Sequence, residues 1–132
     1  MSNIDYEKIP RYKYRLLSGV VVRLSSSKFL GVSIRCPFLL LDEGKLCFRT
    51  GYAWDGCTYF PDFKKLRKAA LVHDGLCQLI NLGLLPKKLQ PFADREFRRI
   101  AIEDGFNPWM ADVAYRGIRV YQTIKGKGGS AK

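Results

Sequence analysis

The hydrophobic pattern of this chain changes period once, and the change falls at residues 51–63. Before it, apolar residues alternate with polar ones or gather in short β-branched runs. After it, they recur every three to four positions. A period of two builds strands and a period of 3.6 builds helices. The fold class that follows is α+β: a small antiparallel N-terminal sheet followed by three helices. At 132 residues the chain has room for one ordinary domain with its own core. Residues 1–124 are expected to form that domain. Residues 125–132 are basic and Gly-rich and are expected to form a flexible tail.

In the first half, Gly19–Leu24, Pro37–Leu41 and Lys45–Thr50 read as strands, with a further short one within Phe29–Ile34. Asp42-Glu43-Gly44 is a hairpin turn, with Gly44 suited to positive φ. In the second half, Leu66, Ala70, His73, Cys77 and Ile80 form one helical stripe, flanked by Ala69, Val72, Leu76 and Leu79. This helix is apolar over a wide arc and should be central. Asp62 is its expected N-cap and Gly83 its stop. After a loop at Asn81–Pro91, a second helix runs from about Phe92 to Asp104. Asn107 caps a third that opens on Pro108, with Trp109, Val113, Gly117, Val120 and Ile124 as its stripe. The link at residues 51–63 is too irregular for a strand and should cover the start of the first helix.

Composition narrows the function classes. There are 23 Lys+Arg against 12 Asp+Glu, a formal net charge of +11. The excess is +5 over residues 1–50, +3 over 51–95 and +3 over 96–132, so no basic arm is appended to a neutral domain. Such a charge favours an anionic partner: membrane lipid, an acidic protein or nucleic acid. The sequence does not set the oligomeric state. No apolar run is long enough for a membrane span and no secretory signal is visible. Cys36, Cys47, Cys57 and Cys77 include no C-x-x-C pair, which argues for reduced thiols rather than a zinc site. No nucleotide or haem signal is present.

The one histidine, His73, lies on the buried stripe and is followed by Asp74. It is either a core histidine satisfied by a single hydrogen bond or a base. Asp94 falls in step with Phe97 and Ala101 on the second helix, so its carboxylate faces inward and needs a partner. His73 is one candidate, and Arg95 or another basic residue is the alternative. Asp74 is rotated about 100° from His73 and faces the Trp54–Phe63 loop. Asp74, Asp55, the Gly56 region and loop carbonyls would make an oxygen site for Ca²⁺, with Trp54 and Thr58 beside it. The other reading is an ordinary ion pair with Lys64, Lys65 or Arg67. Two basic clusters are candidates for contact with nucleic acid or another anionic surface: Arg11, Lys13 and Arg15 among tyrosines, and Arg98, Arg99, Arg116 and Arg119 on the helices. The competing view of the first cluster is a strand with Tyr12 and Tyr14 on one face and Lys13 and Arg15 outside.

Three blocks occur in order: Asp55-Gly56-Cys57-Thr58 with Pro61, Ala69-Ala70-Leu71-Val72-His73-Asp74-Gly75-Leu76-Cys77, and Ala93-Asp94-Arg95-Glu96-Phe97. They resemble the DUF1353 family of small uncharacterised phage and prophage proteins, with Cys77 where that family usually has Tyr. That resemblance implies a phage setting, with the host cytoplasm or a phage virion as the location and other virion proteins as further candidate partners, and it implies no settled activity. The same blocks are similar, at site level, to phospholipases A2. This second resemblance implies His73 as the base, Asp94 as its orienting carboxylate, Asp74 as a calcium ligand and a loop near Asp55–Thr58 completing the metal site. The activity it implies is calcium-dependent hydrolysis of a lipid ester. The alternatives are a non-enzymatic virion or host-interaction protein with a structural His/Asp network, and a nucleic-acid-binding protein.

Overall fold

The computed structural model describes residues 4–10, 13–55 and 63–129, the last five as backbone only. Arg11, Gly56, Thr58 and Asp62 lie outside the described residues. The fold is α+β. The first half forms two antiparallel sheets, where the sequence predicts one. Strands β1 (Tyr6–Lys8), β2 (Tyr14–Leu16) and β7 (Ala53–Trp54) make a three-stranded sheet in the order β1-β2-β7. Strands β3 (Val20–Arg23), β4 (Ser33–Arg35), β5 (Leu39–Asp42) and β6 (Lys45–Phe48) make a four-stranded sheet in the order β3-β6-β5-β4.

The hairpin at 42–45 forms as expected, with Asp42 paired to Lys45. Glu43 and Gly44 both have positive φ, 46° and 78°, which is the turn geometry that matches strand twist. One expectation fails at the link. Ala53–Trp54 is too short to show a periodic pattern, yet it pairs with β2 through Tyr14↔Trp54 and Arg15↔Ala53. Trp54 is 1% exposed and packs with Tyr6 and Tyr14, at ring-centroid distances of 5.8 and 5.5 Å. It is a core residue rather than a side chain of the link.

Helix α1 (Arg67–Asn81) follows a short 3₁₀ turn at Lys64–Leu66. It buries Ala69 to His73, Gly75, Leu76, Leu79 and Ile80, the wide arc its pattern predicts. Gly83 stops it at φ 78°, its N–H donating to the Ile80 carbonyl. Helix α2 (Gln90–Glu103) begins two residues before the expected start, with Pro91 in its first turn, where the missing N–H costs nothing. Helix α3 (Pro108–Gly129) is capped by Asn107, whose Oδ1 accepts from the N–H groups of Trp109 and Met110 at 2.9 and 3.1 Å. Its helical backbone runs on through 125–129, inside the segment expected as a tail.

The helices pack in series, α2 lying between α1 and α3. The four-stranded sheet meets α1 at Gly75. A Cβ there would stand 2.8 Å from the Phe48 ring, so the contact depends on glycine. Arg67, at the start of α1, ties the three-stranded sheet to the helices. Its guanidinium lies 4.6 Å from the Tyr14 ring centroid and donates to the Tyr6 hydroxyl at 2.7 Å.

Candidate functional site

His73 and Asp94 meet. Leu66, Ala69, Val72, Leu76 and Leu79 turn α1 inward and bring the His73 ring with them. Ala93, Phe97, Ile100 and Ala101 do the same for Asp94 on α2. His73 is 2% exposed and Asp94 0%. The imidazole Nε2 lies 2.6 Å from Asp94 Oδ1, and that oxygen also accepts from Gln90 Nε2 at 2.9 Å. The second carboxylate oxygen, Oδ2, accepts from Arg119 Nη1 on α3. One buried carboxylate thus joins all three helices. The ring sits edge-on to Phe97, with centroids 5.9 Å apart.

The electrostatics follow from this packing. Burial alone would drive the imidazole toward its neutral form. The Cys77 sulfur, 3.6 and 3.8 Å from the ring nitrogens, and the hydrogen-bonded Asp94 carboxylate outweigh it and hold His73 up at about 10. For Asp94, burial opposes ionisation, but His73, Gln90 and Arg119 together keep its carboxyl below the usual range. Cys77, in the position where Tyr is usual in the resembled family, accepts from Gln90 Nε2 at 3.3 Å.

Asp74 faces away from this pair, as its position on the helix requires. Its Oδ2 accepts from the backbone N–H of Asp55 at 3.4 Å. Burial raises its pKa to about 6, and the nearby Asp55 carboxylate adds to the rise, while His73 and the Asp55 N–H pull the other way. Asp55 itself is exposed. Gly56 and Thr58, the rest of the expected calcium loop, lie outside the described residues. Among the described residues no three His, Cys, Asp or Glu side chains converge on a point that a metal ion would occupy.

No family model matches this chain, and no curated protein or solved structure matches it either.

Of the two basic clusters, Arg15, Arg98, Arg99, Arg116 and Arg119 take part in ion pairs. Tyr14 is buried while Lys13 and Arg15 are exposed, so the strand reading holds for these residues, and Arg15 pairs with Glu7 across the β1–β2 ladder. Arg98 and Arg116 share Asp112, at 3.3 and 3.0 Å. Arg99 takes Glu96 and Glu103, and Arg119 turns inward to Asp94.

Glu96 is the residue that sequence reasoning missed. It is 1% exposed. Its carboxylate accepts from the backbone N–H groups of Ser25 and Ser26, from the Ser25 hydroxyl at 2.7 Å, and from Arg99 Nε and Nη2 at 3.0 and 2.7 Å. It clamps the segment after β3 onto α2. The signal was present in its spacing, since Ala93, Glu96 and Ile100 lie on one helical face. Two surface pockets lined by described residues lie elsewhere. One is lined by Arg35, Pro37, Leu40, Cys47 and Arg49. The other is lined by Arg23, Ser25, Lys68, Arg99 and Glu103, and neither is lined by His73, Asp74 or Asp94. No described helix is long and apolar enough to cross a membrane.

Proposed function

We propose that this chain is a non-enzymatic, basic interaction protein of the phage DUF1353 type, in which His73, Asp94 and Arg119 form an internal clasp. One observation carries this reading: the His73 ring is sealed at 2% exposure against an Asp94 whose two oxygens are both occupied. The Asp94 carboxylate on the ring favours the protonated imidazole, whereas a general base must be unprotonated at its working pH. The function then resides on the surface, where the +11 charge favours anionic partners such as membrane lipid, acidic proteins or other virion components.

The test sets stability against turnover. His73→Ala is expected to lower Tm, and the parent is expected to hydrolyse no phospholipid with or without calcium. Calcium-dependent turnover that vanishes in His73→Ala at unchanged Tm would overturn this reading.

A second reading, a calcium-dependent lipid-ester hydrolase, draws on one observation. The Nε2–Asp94 bond and the Asp74 carboxylate beside Asp55 support it, since the phospholipase resemblance gives these residues the roles of base, orienting carboxylate and metal ligands. In that reading Asp74 and Asp55, with the loop at Gly56 and Thr58, would hold Ca²⁺, which would supply charge to stabilise an oxyanion. Nucleic-acid binding has less support, because Arg98, Arg99, Arg116 and Arg119 each already face a carboxylate. Filter binding that weakens steeply as salt rises would restore it.

A further inference from the structure

Helix α3 is apolar on two opposite faces. Ala111, Ala114 and Ile118 are fully buried and form the inner face, toward α2. The stripe of Trp109, Val113, Gly117, Val120 and Ile124 points the other way. At about 100° per residue these five fall within roughly 80° of arc, on the side opposite Ile118. Trp109 is 74% exposed, Ile124 65%, Val120 59% and Val113 40%. The stripe predicted from sequence as an apolar face is therefore not the one that packs on the domain. Helices apolar all round are normally covered on both sides.

We propose that this outer stripe pairs antiparallel with the same stripe of a second copy, about a two-fold axis passing between Arg116 and Gly117. The stripe is self-complementary in that register. Positions 109 and 124 lie equally far from the axis, as do 113 and 120. Trp109 thus stacks on the partner's Ile124 and Val113 on the partner's Val120, and each contact occurs twice. Gly117, beside the axis, has no side chain to hold the backbones apart. With Tyr121 and Arg116 at the border, the stripe exposes on the order of 600–700 Å² per protomer, the most the contact can cover and somewhat less than the roughly 800 Å² a side of a standard interface. Its edge carries the Asp112–Arg116 ion pair, at 3.0 Å, a polar rim of mixed sign rather than the wholly basic border of a helix built to lie on lipid.

Charge gives this partner a distinguishing signature. Two copies at +11 each repel, and salt screens that repulsion, so self-association must tighten as salt rises. Binding to a lipid or nucleic-acid polyanion would weaken.

Sedimentation equilibrium of the full chain over a concentration series, at low and high salt, tests the proposal. The expected result is a reversible dimer that tightens with salt. Val120→Asp should weaken it by about tenfold or more through the cost of burying a carboxylate. Its Tm in dilute solution should match the parent's, because Val120 faces solvent in the monomer. For the register, Val113→Cys and Val120→Cys proteins mixed under oxidation should cross-link to each other in preference to themselves, with the parent as control for native thiols. A monomer at every concentration would overturn the proposal. So would a Val120→Asp protein that dimerises like the parent, self-association that weakens with salt, or Val113→Cys linking to itself. Binding of the parent to anionic vesicles through this stripe, with no dimer, would assign the face to lipid instead and overturn it equally.

Discussion

Asp74→Asn isolates the one carboxylate in the site that the fold holds at a loss. Burial and the Asp55 carboxylate raise Asp74 from 3.8 to about 6. A shift of that size corresponds to about 3 kcal/mol between the two protonation states. The folded pKa is the higher one, so the folded state binds the proton more tightly than the unfolded chain. The associated stability is complete below pH 3.8 and is lost as pH rises through about 6. Asn keeps an oxygen to accept the Asp55 N–H and carries no charge. At pH 8 the variant should therefore be more stable than the parent by about 3 kcal/mol, and the two should coincide only below about pH 3. Urea unfolding followed by circular dichroism at a series of pH values measures this directly. A variant less stable than the parent at pH 8, or a difference that does not change with pH, would refute the reasoning.

Four further outcomes follow from the packing and the ion pairs. Gly75→Ala should cost about 1–3 kcal/mol, because its Cβ would stand 2.8 Å from the Phe48 ring; a neutral effect in urea unfolding would mean that the sheet does not press on α1 there. Glu96→Ala should cost about 3 kcal/mol or more by stripping the Ser25 and Ser26 N–H groups and Arg99 of their shared acceptor, with faster amide exchange at Ser25 and Ser26 as the local sign. His73→Ala should destabilise by about 3 kcal/mol, since it opens a cavity and leaves Asp94 to Gln90 and Arg119 alone. Calcium should leave the parent's Tm unchanged; a rise abolished by Asp74→Asn would favour the hydrolase reading.

Much of the site was legible because helices obey one strong rule. An acid or imidazole in step with apolar neighbours must be buried, and a buried charge must find a partner. That argument turned Asp94 inward and offered His73 as its partner, with Arg95 or another basic residue as the alternative, and applied to Glu96 it would have found the second buried carboxylate. Arg119 was harder to place, because a long cation reaches inward from a half-exposed position that periodicity reads as surface. The helix ends at Gly83 and Asn107 were legible from local chemistry, as was the hairpin at Glu43-Gly44. The sheets were less so. Strands β1 and β7 hold three and two residues, too short to show a period, and their pairing is set by Tyr6, Tyr14 and Trp54 packing far apart in sequence. On α3 the pattern showed an apolar stripe but not its direction. Small residues, Ala111 and Ala114, form the inner seam, and the larger side chains face out.

The most direct test of the account uses the fact that the chain has one histidine, so a single imidazole C2–H resonance reports His73 alone. Followed by NMR in the folded protein, that resonance should show a protonated ring at neutral pH and titrate only near pH 10, with the fold losing stability as pH rises from 6.5 toward that midpoint. A midpoint at or below 6.5 would contradict the clasp. It would leave a neutral imidazole beside Asp94 at physiological pH, the state a general base requires.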